Sequence, residues 1–270
     1  MSIYSEDEGL FEILIDWPTP RPHFIIKFKN NAKMSSDYSP NEYFQVKFLK
    51  DNEKQDLLNI VFNFRQKFKL SKKYILSFHT GNWMDTKAFH AHLCVDLDEY
   101  KRVLDETNPD YTKFRPTGNW KIRDGGSIKE MYIKNLENYE PLTRNKSQKY
   151  KKDDLDVIRN NSIKSQRFDL TNFTNLDLTF LNEPKLRIRS NSDADYLNDL
   201  CKIAESLGLF DRLIKNNGCH ICLSYESNST TVKSGYLLLA ADFFYNILPT
   251  NHRDTFLKNF ERNDQFYIDT

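Results

Sequence analysis

The sequence lacks three features that mark large classes of proteins. It has only 8 glycines in 270 residues, which argues against long glycine-rich phosphate-binding loops. No stretch approaches the ~18 consecutive apolar residues that a membrane helix needs. The formal net charge is only +1, from 39 basic and 38 acidic residues, so charge alone does not predict binding to nucleic acid.

The sequence also has little that indicates export. Residues 1–8 are polar and acidic, without the basic start and apolar run of a signal peptide. Only 4 cysteines are present, which predicts reduced thiols inside the cell rather than a disulfide framework. We therefore expect an intracellular protein, cytoplasmic or nuclear, with no membrane association.

Apolar and aromatic residues, in contrast, are plentiful. Hydrophobic residues make up 39% of the chain, enough to build a core for one large domain or two small ones. Runs of strand formers and one apolar stripe with helical spacing predict an α+β fold. The predicted elements of the N-terminal part are strands at 23–29, 74–78 and 88–95 and helices at 51–70 and 97–104.

The strongest chemical pattern lies between residues 79 and 95. His90, His92 and Cys94 alternate with apolar residues, so on a strand they share one face while their neighbours point to the core. His79 lies eleven residues before His90, so half of the 6 histidines fall in this segment. A zinc site built from His90, His92 and Cys94 is an alternative, but three alternating ligands on one flat strand rarely converge on one ion. The sequence therefore predicts no metal and no cofactor.

Residues 90–96 resemble the motif of the histidine-triad (HIT) family, His-φ-His-φ-His-φ-φ, in which φ is apolar. Cys94 stands where the family has its third histidine. The upstream order, a proline-led strand, a helix, a strand, a loop and the motif strand, also resembles the family over roughly residues 15–105. The spacing from His79 to His90 is similar to that of the nucleotide-hydrolase branch, and a histidine at position 79 is similar to the aprataxin branch.

The resemblance implies a specific chemistry. In the family, the middle histidine attacks an α-phosphorus and forms a nucleotidyl-histidine intermediate, which water or another acceptor then releases. By position, His92 is the expected nucleophile, His90 orients it, and His79 faces the phosphate or ribose. The family also places apolar residues of its first strand around the base, which makes Trp17 and Phe24 candidates for substrate contacts.

Three positions depart from the family's pattern. The thiol of Cys94 is a weaker hydrogen-bond donor than an imidazole. Lys87 stands where the branch often has a serine or threonine that assists the leaving group, and its ammonium can bind phosphate as a point charge. Residues 82–85 make the loop before the motif bulkier than the family's glycine-rich loop.

Two functions therefore stay open. One is a nucleotidyl hydrolase or transferase acting on a nucleotide phosphoanhydride, a phosphoramidate or a capped nucleic-acid end. The other is a catalytically silent HIT-like scaffold that binds nucleotide, RNA or a protein partner. A basic stretch favours a third and weaker hypothesis, a nucleic-acid contact, although a solvated linker has the same composition. Its residues are Arg144, Lys146, Lys149, Lys151 and Lys152.

The order of elements recurs in the C-terminal part of the chain. Residues 184–189 are similar to 22–27, and further predicted elements are a helix at 195–207, strands at 221–225 and 235–239, and a helix at 242–248. Aligning Leu248 with Leu104 places Tyr236 opposite His92 and Leu238 opposite Cys94. An unrelated extension with a similar pattern is the alternative to a repeat.

The repeat predicts a HIT-like antiparallel sheet with flanking helices, duplicated as a pseudo-dimer. Its predicted parts are a HIT-like domain at 1–140, a polar basic linker at 141–180 and a degenerate second copy at 181–270 that has lost its chemistry. The chain would then be a monomer with an internal pseudo-dimer, and a homodimer is the alternative. Its expected partner is a nucleotide or nucleic-acid end.

Overall fold

The computed structural model describes residues 1–30, 43–121, 126–138, 173–178, 183–213 and 217–262. Within these ranges the chain is mixed α+β, as the sequence predicts, and nine strands form one antiparallel sheet. The strands are β1 (Ser2–Ser5), β2 (Phe11–Ile15), β3 (His23–Phe28), β4 (Tyr74–His79), β5 (Ala91–Cys94), β6 (Leu176–Asp177), β7 (Lys185–Ile188), β8 (His220–Tyr225) and β9 (Ser234–Leu238).

Six α-helices accompany the sheet in the described ranges. They are α1 (Asp51–Lys67), α2 (Leu97–Thr107), α3 (Ile128–Glu137), α4 (Asp193–Ser206), α5 (Ala241–Ile247) and α6 (Thr250–Arg262). Helices α1 and α4 pack against each other; α1 also contacts β2, and α4 contacts β8 and β9. None of the described helices combines the length and apolar character needed to cross a membrane.

Local signals account for the main elements of the N-terminal half. Helix α1 begins where the Glu53 carboxylate accepts the backbone N–H of Lys50 at 2.8 Å, and the chain leaves the helix through Lys69, whose φ is +48°. Asp96 caps α2 by accepting a backbone N–H at 2.9 Å. The structure confirms the predicted elements at 23–29, 51–70, 74–78 and 97–104, with ends displaced by up to three residues.

The structure departs from the sequence-based prediction at several elements. Strand β5 begins three residues later than predicted, because the chain turns before it and Nδ1 of His90 lies 3.2 Å from the carbonyl oxygen of Ala88. No sequence pattern predicted β1, β2, α3 or α6. Phe11, Ile13 and Ile15 alternate along β2 and are all buried, so this part of the chain forms a core strand.

Within the sheet, the two halves of the chain meet along one strand pair. The strand order is β1-β2-β3-β5-β4-β8-β9-β7-β6, so the antiparallel pair β4–β8, which we call the seam, joins N-terminal and C-terminal strands. Its register runs from Tyr74 opposite Tyr225 to His79 opposite His220. Read outward from the seam, the order is β4, β5, β3 on one side and β8, β9, β7 on the other.

Both ends of the seam are closely packed. At one end the rings of Tyr74 and Tyr225 stack with centroids 4.2 Å apart, and the Arg65 guanidinium lies 3.8 Å from the Tyr74 ring. At the other end the backbone N–H of Thr80 donates to the carbonyl oxygen of Cys219, and the N–H of Cys219 donates to the Thr80 hydroxyl, both at 3.0 Å. The seam is therefore fixed by side chains and backbone together.

The two faces of the sheet differ in chemistry. One face is covered by α1 and α4 and carries the main apolar core. On the other face, which we call the histidine face, His92 of β5 lies opposite Ser77 of β4, and His79 lies opposite His220 across the seam. Because directly opposite residues point to the same side of a sheet, these histidines share one surface.

Candidate functional site

Five of the 6 histidines lie together on or beside the histidine face. The ring centroids of His92 and His79 are 4.7 Å apart, those of His90 and His92 are 5.1 Å apart, and those of His23 and His92 are 6.0 Å apart. His220 stacks on the side of His79 that faces away from His92, and the ring centroids of His220 and His79 are 4.2 Å apart. We call these five residues the histidine cluster.

Strand pairing, rather than sequence proximity, brings the cluster together. His92 lies in the middle of β5, opposite Ser77 of β4, and His79 is the last residue of β4. His23 begins β3 and His220 begins β8, so each stands at a strand end next to the motif strand or the seam. His90 precedes β5 and reaches the cluster from the turn.

A guanidinium lies inside the cluster. Nη2 of Arg21 is 3.3 Å from Nδ1 of His92, and Nε of Arg21 donates to Oδ2 of Asp16 at 2.8 Å. Both side chains of this ion pair are largely buried, with 14% and 7% of their surfaces exposed. They come from the loop between β2 and β3, in which three prolines restrict φ and limit the ways the backbone can move.

The region after α2 holds this loop in place. The ring of Trp17 stacks on Phe114 with centroids 6.3 Å apart, and Trp120 Nε1 donates to the Trp17 carbonyl oxygen at 2.9 Å. The Thr117 hydroxyl donates to the carbonyl oxygen of Pro18 at 2.7 Å. Trp17, a candidate for a base contact, therefore packs within the structure that positions the Arg21 loop.

Burial keeps the imidazoles of His23, His79, His90 and His92 neutral. It lowers the pKa of His79 to about 3, assisted by the charges of His90 and Arg21. Burial is also the main cause that lowers the pKa of His90, and it takes the pKa of His23 and His92 well below the ordinary value. At neutral pH these four neutral rings therefore surround the Arg21 guanidinium, which is paired with the carboxyl group of Asp16.

Neighbouring groups determine which ring nitrogens carry protons. Arg21 has only donors, so its contact makes Nδ1 of His92 an acceptor and places the proton on Nε2. This Nε2 is buried and has no hydrogen-bond partner within the described chain. A carbonyl oxygen only accepts, so the contact of His90 with Ala88 places the proton on Nδ1 and leaves the Nε2 lone pair available.

Three members of the cluster have the spacing of a metal site. The ligating nitrogens of His79, His90 and His92 lie within 4.8 Å of one another, and three imidazoles are a common ligand set for zinc. Arg21 opposes this use, because its N–H leaves the proton on Nε2 of His92 and its charge repels a cation. With its proton on Nε2 and its Nδ1 engaged by Arg21, His92 offers no lone pair to a metal ion in this arrangement.

The other substrate contacts suggested by the resemblance have different surroundings, and of Cys94, Lys87 and Phe24 only Cys94 pairs with a cluster residue, lying opposite His23. Cys94 shares the face of His92, as predicted, but is buried among apolar residues, and burial raises the pKa of its thiol. Lys87 is exposed in the loop before β5. Phe24 lies on the opposite face of the sheet and is fully buried. Its ring centroid lies 5.0 Å from that of Phe64. The basic residues Arg144, Lys146, Lys149, Lys151 and Lys152 lie outside the described residues.

Four residues of the site were not identified from sequence. Asp16 and Arg21 carry no local signal, because their loop meets His92 only through the pairing of β3 with β5. His23 sits in an apolar strand whose sequence indicates only core packing. His220 lies between two buried cysteines, a pattern typical of a core strand, and its place beside His79 follows from the seam.

Comparison with known proteins adds no relative to this description. No family model, no curated protein and no solved structure matches the chain.

Proposed function

We propose that the histidine cluster binds a phosphate group of a nucleotide or of a nucleic-acid end, and that His92 transfers the nucleotidyl group. One observation carries the proposal, namely the guanidinium of Arg21 held by Asp16 at 3.3 Å from His92 within the cluster. Arginine binds phosphate oxygens through paired N–H donors, and neighbouring neutral imidazoles need little reorganisation to add further donors.

The chemistry follows the bonds that each group can form. The Nε2 lone pair of His92 attacks the α-phosphorus, a P–N bond forms, and the bond to the leaving oxygen breaks with its electron pair on that oxygen. Water then attacks phosphorus, the P–N pair returns to Nε2, and the water proton is released with the nucleoside monophosphate. Arg21 stabilises the oxygens on which charge develops in both steps.

The proposal requires one rearrangement at His92. The nucleophilic ring carries its proton on Nδ1, whereas the contact with Arg21 makes Nδ1 an acceptor. A bound phosphate supplies a stronger acceptor for Arg21 than an imidazole does. Substrate binding therefore draws the guanidinium away from His92, and the proton can then move to Nδ1.

We also propose that the two halves are HIT-like copies of one unit. The N–H of Val95 donates to the Pro22 carbonyl at 3.0 Å, and the N–H of Leu239 donates to the Pro184 carbonyl at 2.9 Å. The pairs β3–β5 and β7–β9 thus share one register. This register supports the sequence alignment in which Tyr236 matches His92.

The second copy has different chemistry at the matching place. Lys185 matches His23 in the shared register and is buried, with Nζ 4.9 Å from the ring of Tyr236 and in an ion pair with Glu183. A lysine and a phenol ring thus stand where the first copy has two imidazoles. Among the described residues, the imidazoles that the proposed nucleotidyl transfer uses therefore lie in the first copy.

A second candidate function is binding of a nucleotide or nucleic-acid end without turnover. The observation that favours it is the tautomer of His92, because a protonated Nε2 is not a nucleophile. If Arg21 stays on His92 when phosphate binds, the site is a receptor for the anion rather than an enzyme. This candidate corresponds to the silent scaffold left open by the sequence.

The decisive experiment measures release of nucleoside monophosphate and, in parallel, binding of the same compounds. Substrates are a dinucleoside polyphosphate, an adenosine phosphoramidate, and capped and 5′-adenylated oligonucleotides. Wild type is compared with His92→Ala and with His252→Ala, which removes a histidine outside the cluster. We expect turnover by wild type and His252→Ala, and none by His92→Ala.

Each result selects one function. Binding without turnover by any of the three proteins establishes the receptor. Equal turnover by wild type and His92→Ala removes His92 from the mechanism. If none of the compounds binds to folded wild type, the phosphate site itself is wrong.

A further inference from the structure

His79 occupies the centre of a stack of three imidazoles. Its ring lies 4.7 Å from that of His92 with an angle of 26° between the planes, and 4.2 Å from that of His220 with an angle of 28°. The first neighbour belongs to the N-terminal half and the second to the C-terminal half. The stack therefore crosses the seam.

We propose that His220 is a positioning residue that holds the ring of His79 against the bound phosphate, so that both halves of the chain build one site. This inference rests on the proposed function and adds to it a residue from the half that has lost its own chemistry. His220 acts through His79 and not on the substrate itself.

Other elements hold His220 firmly enough for this role. It is the first residue of β8, directly opposite His79 on β4 and opposite Leu238 on β9. Only 6% of its surface is exposed, and the edge of its ring meets Trp83 with centroids 5.0 Å apart and planes at 80°. Stacking on one side and an edge contact on another fix the ring plane.

Core packing alone does not require a histidine at this place. In the register shared by the two copies, Leu238 matches Cys94, which makes His220 the counterpart of Ile75. The first copy fills this position with an aliphatic side chain that is 1% exposed. The ring of His220 gives the second copy a flat surface that lies on His79, which an aliphatic side chain does not provide.

The test compares His220→Phe with His220→Ala. Phenylalanine keeps a flat ring that can stack, whereas alanine removes it. The probe is inorganic phosphate, its affinity is measured by calorimetry, and the ring signals of His79 are followed by NMR in the same samples. The thermal unfolding midpoint of each protein checks the fold, and His252→Ala is the matched control.

We expect His220→Ala to bind phosphate about tenfold more weakly and to shift the His79 ring signals, whereas His220→Phe stays within about twofold of wild type. Wild-type affinity in a folded His220→Ala protein would overturn the inference. A similar loss in His220→Phe would also overturn it, and the comparison of His220→Phe with wild type remains decisive if the alanine variant does not fold.

The inference and the proposed function fail in different ways. If wild type does not bind phosphate, the proposed function fails, and the NMR signals alone then decide the role of His220. Signals of His79 that shift in His220→Ala but not in His220→Phe still support positioning. Signals that are the same in all three proteins exclude it.

Discussion

Arg21 determines which nitrogen of His92 carries the proton. We expect wild-type His92 to be the Nε2–H tautomer, because the guanidinium can only donate to Nδ1. In Arg21→Met this constraint is lost, and the ring should populate both tautomers. The ¹⁵N chemical shifts of the two ring nitrogens distinguish the forms, and a wild-type protein with its proton on Nδ1 would contradict the assignment.

The buried histidines make stability depend on pH. The pKa of His23 and that of His92 are lowered by burial, so below the unfolded value of about 6.5 the unfolded chain binds protons that the folded chain excludes. The free energy of unfolding is therefore not reduced by these two groups above about pH 6.5. Below that pH it decreases by up to about 1.4 kcal/mol per pH unit for each histidine.

Urea unfolding between about pH 6.5 and pH 5 measures this slope. Wild type is compared with His23→Phe, which removes one buried imidazole and keeps an aromatic ring. The slope should be shallower in the variant. An unchanged slope would mean that His23 accepts its proton in the folded protein.

At the scale of elements, the turn that follows β4 depends on glycine. Gly81 has φ of +53°, and a Cβ there would lie 2.6 Å from the carbonyl oxygens of Asn217 and Leu209. Gly208 has φ of +69° with open space around it, and Gly118 has open space without a positive φ. Substitutions at these three glycines therefore distinguish the cost of backbone strain from the cost of a steric clash.

We expect a graded loss of stability when each glycine is replaced by alanine. Gly81→Ala should lower the free energy of unfolding by more than about 2 kcal/mol, because strain and clash act together. Gly208→Ala should cost about 1 kcal/mol from strain alone, and Gly118→Ala should stay within about 0.5 kcal/mol of wild type. Equal effects at Gly81 and Gly208 would show that the clash is relieved.

The sequence predicted those elements whose signal is local. Helix α1 and strands β3 and β4 have apolar periodicity and clear ends, and the structure confirms them. Strand β2 also alternates apolar residues, but over only five residues, and no strand was predicted there. Strand β5 is shorter than predicted because hydrogen bonds of the turn before it, which involve Thr86 and His90, compete with strand pairing.

The residues of the candidate site also divide into those with a local sequence signal and those without one. His79, His90 and His92 were predicted together because they lie within 14 residues of one another, and the structure brings them together. Arg21 and His220 were not predicted, because they reach the cluster through strand order. A short sequence motif carries no information about which strand becomes its neighbour.

At the scale of the whole molecule, we expect the two halves to unfold as one unit, because β4 and β8 pair directly across the seam. All 3 tryptophans lie in the N-terminal half, and the fluorescence of Trp17 and Trp120 reports on that half. Trp83 also contacts His220, so its fluorescence reports on the seam as well, and circular dichroism reports on both halves. Leu200 is fully buried in α4, in the C-terminal half. Leu200→Ala should cost about 2–5 kcal/mol and shift the unfolding midpoint equally by both probes.

A difference between the probes would contradict this expectation. If the fluorescence transition keeps its wild-type midpoint while circular dichroism shows an earlier one, the halves unfold separately. Lys202→Ala, an exposed change on the same helix, is the control and should leave both midpoints unchanged.

The order of the strands on the two sides of the seam bears on how many phosphate groups one chain binds. Two identical chains paired in this way would carry every substitution twice and would present two equal sites. Here both partners belong to one polypeptide, so His79 can face a histidine while its own counterpart, Ser224, faces Ile75. The proposed duplication therefore predicts one phosphate bound per chain, with the second half serving the site of the first.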